Sequence, residues 1–135
     1  MNGAFLDAAF NEEEQGQIIS TNVQPDKNPF YSTNPGNATT DKIFLLSIGE
    51  ANNYFRNDEA RKCVPTAYAK AQGAYTNSDY RTSRGEATCL WRLRSPGYDQ
   101  DLAAGVNLGG DVGCNGLGVD YGNDGVRPAL WITLN

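Results

Sequence analysis

The amino-acid sequence predicts an α+β protein with its helices first and its strands afterwards, and three observations carry that prediction. Helix-start signals concentrate in the first half of the chain. Strand-like runs follow residue 89. Nine of the fifteen glycines fall between Gly97 and Gly125, where short strands need tight turns. At 135 residues the chain is long enough to bury one core without metals or disulfides, and is read as a single domain. Its 39% hydrophobic and 20% charged content is that of a globular rather than a disordered chain.

Each element has its own reason. Phe5, Leu6, Ala9 and Phe10 share one helical face. Asn11 is placed to cap a second helix, with Glu12, Glu13 and Glu14 in the first turn, where carboxylates suit the helix dipole. Ile18 and Ile19 supply apolar packing after it. Residues 24–40 are dominated by Pro, Asn, Asp, Ser, Thr and Gly and predict a long loop. Lys42-Ile43-Phe44-Leu45-Leu46-Ser47 predicts a buried strand. Ser47 and Glu50 have the spacing of a capping box, opening a helix that carries Ala51, Tyr54 and Phe55. Residues 66–72 predict another helix, stopped by Gly73. Leu90-Trp91-Arg92-Leu93-Arg94 alternates as a strand does and ends at Ser95-Pro96-Gly97. Small strands are expected at 103–106 and around Val112. Residues 126–134 close the chain as a strand, with Pro128 at an edge or bulge because it cannot donate to a ladder.

Several function classes are excluded. A net charge of −5 without a basic run argues against a nucleic-acid partner, since phosphate binding needs clustered Lys and Arg. No stretch is apolar over the length of a membrane span. The first residues lack the basic start and apolar centre of a signal peptide. The expectation is that the chain is not exported by that route, or that the start of a longer protein is missing. A location at a cell surface or on a phage stays open. Histidine is absent. That removes the commonest general base, the commonest metal ligand and every Ser-His or Cys-His nucleophile pair. No enzyme activity and no cofactor are expected. Cys63, Cys89 and Cys114 are too few and too far apart for a zinc cage. One disulfide with a thiol left over and three free thiols both remain open.

Trp91-Arg92-Leu93-Arg94-Ser95-Pro96-Gly97 and Gly125-Val126-Arg127-Pro128-Ala129-Leu130-Trp131 resemble the two signature blocks of a bacterial domain family of unknown function with a C-type lectin-like fold. Asn2-Gly3-Ala4-Phe5-Leu6, Thr40-Asp41-Lys42-Ile43-Phe44-Leu45-Leu46-Ser47 and Thr66-Ala67-Tyr68-Ala69 fit the same family. The resemblance covers most of the chain and implies N-terminal helices with a small antiparallel sheet and long irregular loops. It lies closer to the formylglycine-generating group of that fold than to animal lectins. That group works with cysteines and a metal. The cysteines here do not form a recognisable pair near the C-terminus, which makes an oxidase of this kind the least favoured reading. The family usually has strands ahead of the Asn-Gly-x-Phe-Leu block, and the fold pairs its first and last strands. The closing strand is therefore expected to lack its partner and to offer an edge for a homodimer. Arg92 stands where the family tends to have an aromatic residue. Cys63 and Cys89 both flank family-like blocks, which implies that they are neighbours; a disulfide and two buried thiols are equally open.

The resemblance also points to a site. Some proteins of this fold are variable products of diversity-generating retroelements, in which adenines of a C-terminal coding segment are replaced at random. Mutated A-A-C codons cannot yield Lys, Glu, Met or Trp. Residues 98–124 contain none of these, and only Gln100 breaks the restricted alphabet. The segment also sits just before the Gly-Val-Arg-Pro-Ala-Leu-Trp block, where such variable segments lie. Tyr98, Asp99, Asp101, Leu102, Asn107, Leu108, Cys114, Asn115, Leu117, Asp120, Tyr121 and Asn123 are its candidate ligand-binding residues, for a protein or a glycan. On composition alone a turn-rich β region accounts for the same residues. The alternative function is a structural or interaction module of a larger bacterial surface protein with a fixed ligand.

Other motifs weigh less. Gln24-Pro25-Asp26 matches the sugar-and-calcium tripeptide of animal lectins but lies far from the late loop that carries it. Residues 120–125 lack the closing glutamate of a calcium loop. Gly116-Leu117-Gly118 is followed by no helix and is not a phosphate loop. Trp91 and Trp131 are expected in the core, and Arg94 and Arg127 are expected to satisfy carboxylates or loop carbonyls.

Overall fold

Capping decides where the helices start. In the computed structural model, which describes residues 2–134, the helices are α1 (Ala4–Ala9), α2 (Glu12–Gln17), α3 (Ile48–Tyr54), α4 (Asp58–Arg61) and α5 (Ala67–Ala71). Asn11, Ser47, Asn57 and Thr66 each accept the backbone N–H three residues on. Asn11 with Glu14 and Ser47 with Glu50 complete reciprocal capping boxes. Such a cap contributes about 1 kcal/mol, which matters for helices this short. Gly73 adopts φ +91° just past α5, a conformation that favours glycine.

The strands are β1 (Thr21–Val23), β2 (Thr39–Asp41), β3 (Phe44–Leu45), β4 (Thr76–Arg81), β5 (Ala87–Cys89), β6 (Trp91–Pro96), β7 (Leu102–Val106), β8 (Val112–Gly118) and β9 (Pro128–Ala129). They form small antiparallel sheets: β1 with β2, β3 with β9, β4 with β5, and the three-stranded β6-β7-β8. The protein is thus a mixed α+β structure with few, short helices.

The core lies against the three-stranded sheet. Trp91, Leu93, Ala104 and Val106 meet Val23, Phe44, Leu46, Ile48 and Ala51 there. Trp91 is fully buried, and its indole N–H donates to the Arg61 carbonyl at 3.0 Å, so no polar atom is stranded. Ser95 Oγ accepts from Ile48 N at 3.0 Å, fastening the sheet to the start of α3. A second cluster of Leu6, Ile18 and Ile43, with Phe10 and Leu130, ties the N-terminal helices to the closing segment. Both residue sets of β6 are covered. The apolar ones enter the core, while Arg92 and Arg94 find carbonyls and carboxylates. Arg94 donates to the carbonyls of Leu45 (2.9 Å) and Gln24, and pairs with Glu50. Burial pushes the Glu50 pKa up, but the Arg94 hydrogen bonds, the Ser47 backbone N–H and the Arg94 charge together outweigh it and hold the carboxyl below its ordinary value.

The structure departs from the sequence reading at several points. Phe5 and Ile19 are exposed rather than packed, so Leu6 with the half-buried Phe10, and Ile18, represent their segments in the core. The strand expected over 42–47 shrinks to Phe44–Leu45, because Lys42 and Ile43 bend to receive the Asn2 side chain, whose Oδ1 accepts from both backbone N–H groups. The closing strand shrinks to Pro128–Ala129, with Pro128 on an exposed edge as expected. It does not lack a partner. It pairs with β3, and beyond it Ile132 pairs with Ile18, so an unpartnered closing strand no longer argues for a dimer. Trp131 is 49% exposed, stacked edge-on against Tyr54, and is not a core residue. The β4–β5 hairpin, α4 and the β1–β2 pair went unpredicted. No helix among the described residues is long and apolar enough to cross a membrane.

Candidate functional site

The scaffold of the late segment is built by close backbone approach. Gly105 in β7 brings the strand so near β6 that a Cβ would sit 3.1 Å from the Trp91 carbonyl. Beyond β7 the turn over 107–111 closes with Asn107 N–H on the Asp111 carbonyl and Asn107 Nδ2 on the Asp111 carboxylate at 2.6 Å. Three contacts then pin this turn. Thr88 Oγ1 donates to the Leu108 carbonyl at 2.8 Å, Arg61 Nε donates to the Gly110 carbonyl at 2.8 Å, and Gly110, at φ +92°, presses on the Asp58 carbonyl.

The opposite end is held by the long early loop. Asn28 Nδ2 donates to the carbonyls of Pro96 (2.9 Å) and Cys114 (2.7 Å), and Thr33 Oγ1 to that of Gly97 (2.8 Å). Tyr31 donates to Asn115 Oδ1 at 2.5 Å, and its ring meets Tyr98 edge-on at 6.1 Å. Residues 24–38, legible only as a loop, are thus the buttress of the late segment.

Arg92 ties β7 and β8 to the segment that follows them. Its guanidinium reaches from β6 across the sheet, donating to the carbonyls of Ala103 (3.2 Å), Leu117 (2.7 Å) and Gly118 (2.5 Å), and pairing with Asp124. Both side chains are about nine-tenths buried, and burial pushes the Asp124 carboxyl up while Arg92 pulls it down. The position where the family tends to be aromatic is therefore an internal staple, not a surface feature.

Two adjoining concavities lie over this staple. One, of about 420 Å³, is lined by Arg92, Asn107, Cys114, Asn115 and Leu117. The other, of about 430 Å³, lies between Tyr75 and Tyr80 on one side and Leu108, Asp111 and Leu117 on the other. Leu90, Asn107 and Leu117 border both.

Of the twelve candidate residues, Tyr98, Asp99, Asp101, Asn115, Leu117, Asp120, Tyr121 and Asn123 are exposed. Leu102, Asn107, Leu108 and Cys114 are half-buried rather than pointing freely outwards, and Cys114 packs against the main core. The structure brings Asn107, Leu108, Cys114, Asn115 and Leu117 to the concavities. Asp120 and Tyr121 overlie Gly118 one residue further along. Tyr98 turns towards Tyr31 of the early loop instead, and Asp99 accepts from the neighbouring Gln100 N. Tyr75 and Tyr80 belong to the same surface and were missed. Thr76–Arg81 alternates no apolar residues, so its strand period was silent, although Tyr80 near the turn at Gly85 was a usable hairpin cue.

The remaining motifs have structural roles. Asp26 accepts from Gly49 N at 3.1 Å, and Gly116-Leu117-Gly118 lies within β8. Arg127 donates to the Arg61 carbonyl at 3.4 Å, as expected of it, and also stacks 4.7 Å from the Phe55 ring centre and 5.2 Å from that of Trp91. Cys63 and Cys89 are neighbours as implied, an antiparallel pair with Cys89 N on the Cys63 carbonyl at 2.9 Å, and both are free thiols. The Cys89 hydrogen bond draws the Cys63 thiol down to about 6 against the effect of burial, with Arg127 adding to it.

No curated protein and no solved structure matches the chain significantly. A family model matches residues 1–134, and on that match the chain belongs to the family described as a domain of unknown function, DUF6273.

Proposed function

We propose that this protein is a non-catalytic ligand-recognition module of C-type lectin-like fold, whose residues 98–123 form a changeable surface on a constant scaffold. The observation that carries the reading is a division of labour along the chain. The blocks on either side of the segment supply Trp91, Leu93, Arg94 and Arg127, whose side chains are consumed by the core, by Glu50 and by ring stacking. Between them, no candidate side chain is fully buried and eight are exposed. Stable frameworks with alterable loops are how binding specificity is commonly built. Tyrosine among small polar residues is the composition of adaptable binding surfaces.

Within this reading the segment is the variable region of a diversity-generating retroelement product. Population sequencing of the codons for 97–125, with the flanking DNA read for a reverse transcriptase, tests it. The expected result is variation explicable by adenine replacement, with Arg127 to Trp131 constant. A uniform segment with no nearby reverse transcriptase removes the retroelement and leaves a module of fixed ligand.

A further inference from the structure

We infer that the groove between Tyr75, Tyr80 and the β7–β8 hairpin takes an arginine- or lysine-bearing segment of a partner protein. The inference rests on the recognition reading and names the chemistry of the ligand for this copy of the surface.

Three features converge. The groove is apolar at its base, where Leu90, Leu108 and Leu117 meet, and is walled by tyrosines 52% and 45% exposed. A long aliphatic stem ending in a charge fits such a shape, burying its methylenes while its cation lies over a ring face. The rim carries the opposite charge. Residues 98–124 hold five aspartates and no lysine or arginine. Asp124 is consumed by Arg92, whereas Asp99, Asp101, Asp111 and Asp120 have no ion pair among the described residues. Asp111 lines the groove, and Asp120 lies beside Tyr121 above Gly118. Of the nearby cations, Arg92 and Arg61 are buried and paired with Asp124 and Asp58, while Arg81, next to Tyr80, is exposed and donates to the Gly85 carbonyl, a single positive charge against Asp111 and Asp120. An anionic ligand would meet these carboxylates unshielded. A neutral glycan could hydrogen-bond to them but would leave their charge unneutralised. A cationic peptide satisfies both the groove and its rim.

The test is amide chemical-shift mapping on the intact chain with three probes: hexa-arginine, hexa-glutamate and maltohexaose. Hexa-arginine is expected to move the resonances of Tyr75, Tyr80, Leu108, Asp111 and Leu117, with affinity falling as salt rises. D111N/D120N is expected to weaken it about fivefold, and Y75S/Y80S by a similar factor. Helix α2 is an internal control, since Glu12, Glu13 and Glu14 are equally acidic but border no such groove. Shifts as large at α2 as in the groove mean unspecific charge attraction and overturn the inference. So does binding of hexa-glutamate, or of maltohexaose with hexa-arginine silent. These outcomes are separate from the sequencing result. A varying segment with no arginine binding refutes the ligand class alone, and arginine binding by a uniform segment refutes diversification alone.

Discussion

Replacing Gly110 with alanine tests whether the β7–β8 turn is docked on α4, on which the shape of the groove depends. Gly110 has φ +92°, and a Cβ there would lie 1.9 Å from the Asp58 carbonyl oxygen and 2.6 Å from its carbon. The left-handed backbone costs a non-glycine residue about 1–2 kcal/mol. Relieving the overlap needs the turn or the start of α4 to move by more than an ångström, and overpacking of that kind costs about 1–3 kcal/mol. That movement also stretches the hydrogen bond from Arg61 Nε to the Gly110 carbonyl. The expected loss is therefore about 2–5 kcal/mol. Gly73→Ala is the control, because Gly73 has φ +91° with nothing within 4 Å of its would-be Cβ and should lose the backbone cost alone. Urea denaturation of both variants, read as midpoint shifts at an unchanged slope, gives the comparison. If the two losses agree within about 0.5 kcal/mol, the turn is not seated on Asp58 and the groove is not shaped as described.

Three further outcomes follow from the buried groups. Arg92→Leu leaves three carbonyls and a buried carboxylate without their partner, and should cost about 3–5 kcal/mol. The Asp124 carboxyl, already raised by burial, rises further without Arg92. A folded-state acid that holds its proton more tightly than the unfolded chain destabilises when ionised. The deficit should then be largest at neutral pH and shrink, as pH falls through the raised value, to the share of the three carbonyls; a deficit independent of pH refutes Asp124 as the stranded carboxylate. Alkylation of Cys63 by iodoacetamide should titrate with a midpoint of about 6, moving up in Cys89→Ala more than in Arg127→Gln, and a wild-type midpoint in the ordinary thiol range would contradict the pair geometry. Trp91→Ala should cost at least about 3 kcal/mol in denaturant unfolding and Trp131→Ala under about 1, since one ring is wholly buried and the other half-exposed; similar losses would refute that assignment.

What the sequence made legible follows from the range of the forces involved. Asn11 and Ser47 cap helices because a side chain three residues from its target needs no tertiary partner, and both were readable in advance; Thr66 caps in the same way, though only its helix was read. Trp91 and Leu93 were readable as core for a similar reason, through the strand period. Trp131 misled because its apolar neighbours suggested a buried strand, whereas the short pairing of β9 leaves its ring outside against Tyr54. The candidate surface was half legible. Its β7–β8 side announced itself by composition. Its β4 side did not, because Tyr80 reaches the groove through the pairing of β4 with β5 and Tyr75 through its N–H on the Asn123 carbonyl, among residues without apolar alternation. The Arg92–Asp124 pair spans 32 positions and left no local trace.

A surface rewritten at random must still close its turns, and the structure states where that limit falls. Asn115, Leu117 and Tyr121 are exposed. Gly116 lies between the first two at φ +80°, and a Cβ on it would come within 2.8 Å of the Ala103 carbonyl. At Gly97 the corresponding distance is 2.4 Å from the Asn115 carbonyl, and at Gly125 it is 2.7 Å from that of Leu90. Backbone atoms cannot yield as a flexible side chain can, so these positions reject side chains whatever the ligand. A diversified segment compatible with this scaffold therefore varies at 115, 117 and 121 while its template carries no replaceable adenine at the glycine codons for 97, 110, 116 and 125. Sequenced variants that spare those four glycines would tie the mutable positions to the observed turns. Folded variants bearing larger residues at Gly110 or Gly116 would show that the late segment closes in another way, and the recognition face would have to be redrawn around it.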